Sequence, residues 1–203
     1  TLYCNQQGAP SRMVLLTIHN LGVKVDLQYL DTSKGDQNTP EFVKVNPLHQ
    51  VPVLHIDAQN FSLPESRAIM IYLATTIKNS FYPSDIKKRS LIDARLFFDA
   101  STISPTIRNF TVNFEILKIL KLIFVQRLIL QGRVKKMPEE VREAIKTVLN
   151  NIETLLTQSK YFAGDELTLA DFALLANVET IKVSSYQSVE SLCAVNFFLG
   201  LGS

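Results

Sequence analysis

Asn46-Pro47-Leu48-His49-Gln50-Val51-Pro52-Val53-Leu54 and, a little further on, Leu63-Pro64-Glu65-Ser66-Arg67-Ala68-Ile69-Met70-Ile71-Tyr72-Leu73 decide the fold. Asn46-Pro47 reads as a turn. Val53-Leu54-His55-Ile56 and Phe61-Ser62-Leu63 read as two short strands joined across Asp57-Ala58-Gln59-Asn60. Pro64-Glu65-Ser66 then opens a helix carrying Ala68, Ile69, Ile71, Tyr72 and Leu73. Pro52 has no N–H to give to a ladder, which leaves a backbone neighbour free. A cis Val51–Pro52 bond would turn the Val51 N–H and C=O outward, ready to pair with an extended peptide; an ordinary trans edge proline is the alternative. The backbone N–H groups at the helix start and the Ser66 hydroxyl make an anion site. Glu65 beside them can pair with an ammonium. One site holding a carboxylate and an ammonium together suits an α-amino acid; plain helix capping is the alternative.

Upstream, Leu2-Tyr3-Cys4 is a strand and Gly8-Ala9-Pro10 opens a helix, where proline in the first turn costs no hydrogen bond. Asn20-Leu21-Gly22 ends that helix with a glycine stop. Val23, Val25, Leu27 and Tyr29 alternate, which predicts a strand over 23–30. Pro40–Val45 reads as a short helix. The order is βαβ and then ββα on one small sheet, a thioredoxin-like plan. Asn79, Ser80 and Pro83 punctuate a linker. Downstream, 85–110 reads as one long helix bent at Pro105. A second helix runs from Pro138 to Gln158. A third starts at Thr168-Leu169-Ala170-Asp171, where Thr168 can cap the helix and Asp171 can reach back. The fold class is therefore α/β plus all-α: a thioredoxin-like domain over 1–78, a linker over 79–84, and a helix bundle over 85–203.

Composition narrows the function. Of 203 residues, 46% are hydrophobic and 20% charged, enough to bury a sizeable core. Lys+Arg is 21 against Asp+Glu 19, a net charge of +2, too balanced for a nucleic-acid binder that works by neutralising many phosphates. Cys4 and Cys193 cannot form a disulfide framework, and the opening Thr1-Leu2-Tyr3-Cys4-Asn5 does not read as a signal peptide. A reducing, cytoplasmic setting fits. His19, His49 and His55 are scattered, so no metal site is expected. Residues 116–138 hold six basic residues and no acid. Lys118, Lys121 and Arg127 interrupt the apolar run too often for a bilayer span. A bundle helix with a basic outer face is expected there, and membrane contact is not.

The stretches quoted first resemble cytosolic glutathione S-transferases. Gly8-Ala9-Pro10-Ser11-Arg12, Pro40-Glu41-Phe42 and Tyr161-Phe162-Ala163-Gly164-Asp165-Glu166-Leu167-Thr168-Leu169-Ala170-Asp171 agree with that likeness. The wording is closest to the arthropod delta and epsilon classes, and Glu65-Ser66-Arg67-Ala68-Ile69 favours delta. The likeness covers about 1–110 and 138–180. Residues 115–131 look like extra sequence, and beyond about Ser184 the likeness fades.

The resemblance implies glutathione as co-substrate, and conjugation of it to hydrophobic electrophiles, as in detoxification. It implies that Val51 pairs its backbone with the cysteinyl part and that Pro52 is the cis proline. Glu65 and Ser66 would hold the γ-glutamyl end, with Arg67 lining the same polar pocket. His49 would sit near the glycyl end. Gln37 stands where the delta pattern often has His, which implies weaker binding of the glycyl carboxylate. Ile107, Arg108 and Phe110 would line the electrophile pocket. A homodimer is implied as well. Delta-class enzymes usually place a Ser just before Ala-Pro, and here that residue is Gly8. Ser11 is the candidate catalytic hydroxyl, with the N–H groups near Gly8 and Ala9 as a partial substitute. The absent hydroxyl also opens an alternative: a protein of the same fold, weakened in catalysis, that binds ligands or acts as a scaffold.

Overall fold

A computed structural model describes residues 1–109 and 139–183. Two compact units emerge, one of 1–97 with 159–176 and one of 98–158 with 177–203.

In the first unit the order is β1 (Leu2–Cys4), α1 (Ala9–Leu21), β2 (Leu27–Tyr29), α2 (Pro40–Val45), β3 (Val53–Ile56), β4 (Phe61–Pro64), α3 (Ser66–Thr76) and α4 (Ile86–Phe98). The sheet order is β2-β1-β3-β4. β1 runs parallel to β2, and β3 runs antiparallel to both β1 and β4. This is the thioredoxin-like plan. β2 is shorter than the alternation over 23–30 predicts. β1 offers it only three residues, pairing Leu2 with Leu27 and Cys4 with Tyr29. Val23 and Val25 therefore have no ladder to join.

α1 ends as expected. Gly22 takes φ 66°, a left-handed conformation that glycine adopts without a Cβ clash. Its N–H bonds His19 O at 3.2 Å, and the Val23 N–H bonds Ile18 O at 3.2 Å, closing the last carbonyls. α1 buries Met13, Val14 and Thr17 at helical spacing. Phe61 of β4 meets Tyr72 of α3, ring centroids 6.1 Å apart. Tyr3 of β1 meets Phe42 of α2 at 5.6 Å. Leu2, Cys4, Val53, Ile69 and Met70 are fully buried.

The segment 159–176 is tied to the rest of this unit by bonds to main-chain carbonyls. Arg95 Nε donates to Phe162 O at 2.8 Å, and the Leu169 N–H donates to Phe81 O at 3.2 Å. Tyr82 Oη donates to Asp93 at 2.8 Å, and burial together with that bond pushes the phenol up to about 12. Asp171 is the hub. One of its carboxylate oxygens accepts the Phe162 N–H at 2.8 Å. The other accepts the Thr168 N–H and hydroxyl at 2.8 and 2.9 Å. Thr168 therefore gives its hydroxyl to Asp171 instead of accepting with it, and the cap is the Asp171 half of the predicted box. Burial raises this carboxyl, and the bonds from Phe162 and Thr168 pull against that rise.

In the second unit the predicted bend at Pro105 takes a different form. Asp99–Ile103 is a wider, π-helical turn, with the Ser104 N–H reaching back to Asp99 O. Pro105 has no N–H for the carbonyl four residues before it, and the wider turn absorbs that gap just upstream. The chain is helical again over 104–109. Asn177 donates to buried Asp99 at 2.6 Å and to Ser104 Oγ at 2.9 Å. α5 (Glu139–Leu156) buries Ile145, Val148, Leu149 and Ile152 on one stripe. Glu139 and Glu140 lie on its first turn, where the helix dipole favours acids. α6 (Leu169–Val183) starts in the first unit and ends in the second. The basic stretch 116–138, the extra residues 115–131 and the chain beyond 183 lie outside the described residues. No helix among the described residues is long and apolar enough to cross a membrane.

Asp171→Asn leaves at least one buried donor of Thr168 or Phe162 without an acceptor, a cost of about 1–3 kcal/mol per group. A loss of about 2 kcal/mol lowers the melting temperature by roughly 4–8 °C in a chain of this size. Thermal denaturation followed by circular dichroism measures it.

Candidate active site

Strand register builds the site. Tyr3 pairs with Val53, and Val53 pairs with Pro64. The C-terminal end of β1, the N-terminal end of β3 and the C-terminal end of β4 therefore lie side by side. The loops leaving that end carry residues 5–8, 46–52 and 65–67. β2 runs parallel to β1, so its exit into 30–38 joins them.

Val51–Pro52 is a cis peptide. Among the described residues, no hydrogen bond uses the Val51 N–H or C=O. The turn before it is held by Asn46, which is buried. Asn46 Nδ2 donates to Gln50 O at 2.8 Å, its Oδ1 accepts the Leu48 N–H at 3.1 Å, and its own carbonyl accepts the His49 N–H at 3.1 Å. His49 is exposed, takes φ 56°, and lies with Nδ1 3.0 Å from Asn38 Oδ1. That contact carries His49 to the short turn Asp36–Asn38, which also holds Gln37. Gln37 Nε2 donates weakly to Thr32 O at 3.4 Å, while its Oε1 is buried with no partner among the described residues.

Glu65 stands at the N-cap of α3 with φ 72° and ψ 108°. A residue with a Cβ is held there at a cost of about 1–3 kcal/mol, and such strain clusters at ligand sites. Ser66 is buried, and its hydroxyl accepts from Arg67 Nη1 at 3.1 Å and points at Met13 Sδ at 3.8 Å. The first N–H groups of α3 have no acceptor within the helix. Glu65 is exposed beside them.

The β1–α1 loop is tied down from several sides. Its Asn5 N–H donates to Ser11 Oγ at 3.1 Å, and the Gln7 N–H donates to Asn5 Oδ1 at 2.8 Å. Asn5 Nδ2 reaches Thr32 Oγ1 at 2.7 Å. Arg12 clamps the far side, giving Nη1 to Gln7 O at 2.6 Å and Nη2 to Ala176 O at 2.9 Å. Ser11 is only 1% exposed. Gly8 is the N-cap of α1, at φ −81° and ψ 129° with no side chain to cap the helix. Pro10 has no N–H, so the N–H groups of Ala9 and Ser11 carry the positive end of α1. Cys4 lies fully buried at the end of β1, and burial pushes its thiol up, away from the reactive thiolate.

Val51, Pro52, Glu65, Ser66 and Arg67 are thus brought to one end of the sheet, with His49 and Gln37 flanking them. Ile107 and Arg108 belong to the second unit, the first buried and the second exposed. Phe110 lies outside the described residues. Asn5, Thr32, Asn46 and Arg12 support the site without having been singled out by sequence. Asn46-Pro47 marks a turn, and an Asn there bonds backbone two residues on. Nothing local announces that Arg12 reaches residue 176.

Comparison with known families identifies both parts of the chain. Residues 1–75 match the glutathione S-transferase N-terminal domain, and residues 112–191 match the C-terminal domain. The chain belongs to the glutathione S-transferase family, and it is a glutathione transferase. A delta-class glutathione transferase of Nilaparvata lugens is 32% identical, with 97% of this chain and 85% of that one covered and a TM-score of 0.74. A diazinon-metabolizing glutathione S-transferase of the silkworm, Bombyx mori, is 25% identical, with 97% and 86% covered and a TM-score of 0.76. A glutathione transferase homolog of Drosophila mojavensis, with bound glutathione, is 26% identical, with 96% and 83% covered and a TM-score of 0.74.

The Asn46 clamp should matter to stability as well as to shape. Asn46→Ala removes two side-chain bonds that hold this turn, each worth about 0.5–1.5 kcal/mol. Urea unfolding should show a lower midpoint at an unchanged slope.

Proposed function

We propose that the end of the sheet defined by Val51, Glu65 and Ser66 seats glutathione, and that the protein transfers its sulfur to hydrophobic electrophiles. The observation that carries this reading is the free Val51 main chain beside the start of α3. An extended tripeptide needs a backbone partner at its centre and a zwitterion site at one end, and these stand one strand apart. In this reading the Val51 N–H and C=O pair with the cysteinyl unit. The α3 N–H groups and Ser66 hold the γ-glutamyl carboxylate, Glu65 holds its ammonium, and Arg67 lines the pocket. His49 and Gln37 face the glycyl end. The orphaned Gln37 Oε1 suits a donor better than a carboxylate, which accords with weak binding there.

A free thiol is mostly protonated at neutral pH, so the protein must favour its anion. We assign that task to the positive end of α1, through the Ala9 and Ser11 N–H groups. The Ser11 hydroxyl, whose oxygen accepts the Asn5 N–H, shapes that turn and keeps one proton to donate. Ile107, Arg108 and Phe110 are proposed for the electrophile pocket. The glutathione-binding domain would end at 78 and the helical domain begin at 85, in a cytoplasmic homodimer with no metal. The relative that metabolises diazinon supports a hydrophobic, detoxification-type substrate.

Steady-state conjugation of a chlorinated dinitrobenzene tests the reading. Turnover no faster than the uncatalysed reaction would sink it. Ser66→Ala should raise KM for glutathione about tenfold and leave kcat within about twofold, the signature of lost ground-state binding.

The same assay tests the thiolate assignment. A Cβ at Gly8 would meet nothing nearer than 3.8 Å, and the backbone there is extended, so a side chain fits. Gly8→Ser should raise kcat about tenfold at pH 6.5, one charge-assisted hydrogen bond to the thiolate. No gain would place the sulfur away from residue 8.

A further inference from the structure

At the opposite end of β3 from Val51 stand three side chains that the transferase reading does not use, one pair of them hydrogen-bonded and the third within charge-pair distance. His55 of β3 and Ser62 of β4 are direct cross-strand partners. Ser62 Oγ lies 2.8 Å from His55 Nδ1. The other ring nitrogen, Nε2, lies 3.3 Å from Asp57 Oδ1. We propose that Ser62, His55 and Asp57 form a second nucleophilic centre, one that hydrolyses small, activated carboxylic esters without glutathione.

A carboxylate 3.3 Å from Nε2 favours the tautomer protonated there by charge attraction. Nδ1 is then bare and accepts the Ser62 hydroxyl proton, the arrangement a general base needs. Strand register supplies the third part. The His55 N–H bonds Thr1 O at 2.8 Å, so the main chain of His55 faces β1. The His55–Ser62 pair is therefore of the type that exchanges no main-chain bonds across β3 and β4, which brings the two side chains close. By the same geometry the Ser62 N–H looks outward from β4, the edge strand of the sheet. A main-chain donor next to the nucleophile is what a developing oxyanion requires. Ser62 is partly exposed, and Asp57 stands 78% exposed at the mouth of the group.

In the first step Ser62 Oγ bonds the ester carbonyl carbon while its proton passes to His55 Nδ1. The carbon–oxygen bond to the leaving group breaks, and that oxygen leaves as the alcohol with the proton from His55. Water then attacks the acyl-serine and gives its proton to His55. The acid departs, and the proton returns to Ser62 Oγ. No other reactant is needed. With a single main-chain donor on an open strand edge, the centre suits short acyl groups on good leaving groups.

The test uses the full chain freed of glutathione, so its failure leaves the transferase reading untouched. p-Nitrophenyl acetate hydrolysis is measured alongside labelling by a fluorophosphonate, with the adduct located by peptide mass. An adduct on Ser62, together with an ester rate at least tenfold lower in Ser62→Ala and in His55→Asn, supports the proposal. Glutathione conjugation by Ser62→Ala should stay at the parent level, which certifies the fold. No adduct at Ser62, or an ester rate in Ser62→Ala equal to the parent's, overturns it. Labelling of the unmodified chain decides the question even if a variant fails to fold.

Discussion

The alignment of Tyr3 with Val53 and of Val53 with Pro64 is the constraint on which the rest depends. It sets three strand ends at one level, and the loops leaving them become the walls of one site. A slip of one residue would turn every strand side chain to the other face, and the buried Leu2, Cys4 and Val53 forbid it. Packing thus fixes the register, and the register fixes which backbone groups the proposed site presents. Asn46, Asn5 and Arg12 then hold the loops where the sheet has put them. Their bonds go mostly to main-chain atoms, so each fixes a loop path.

In the proposed reading, thiolate formation works without a side-chain hydroxyl at residue 8. The position before Ala9-Pro10 is Gly8, with no hydroxyl, and the Ser11 hydroxyl is buried against the Asn5 N–H. In the proposed reading the polarity of α1, a helix of 13 residues, acts beside the one proton that the Ser11 hydroxyl keeps to donate. A dipole acts over the first turn only, so in that reading the path of residues 5–8 sets how close the sulfur comes to it.

The sheet and most helices were legible because their signals are local. Gly22 stops α1, Pro40 opens α2, and Asp57–Asn60 turns β3 into β4. The misreadings have physical causes. Val23 and Val25 alternate like strand residues, yet β1 is too short to pair with them. Thr168-x-x-Asp171 reads as a reciprocal cap, but the buried carboxylate also accepts the Phe162 N–H and draws the Thr168 hydroxyl to itself. Pro105 predicts a bend, and the backbone relieves it by widening the turn at 99–103.

Local sequence was enough to name the candidate residues: a proline preceding a strand, and an acid and a hydroxyl at a helix start. It also determined the order of the elements, because periodicity and turn residues act within a few positions. Tertiary structure alone decided that Glu65 sits in a strained left-handed conformation, that Arg12 reaches Ala176, and that His55 lies between Ser62 and Asp57. Those are choices between distant or competing partners. They are settled by which buried polar groups find a mate once the core has closed, and no local pattern encodes that contest.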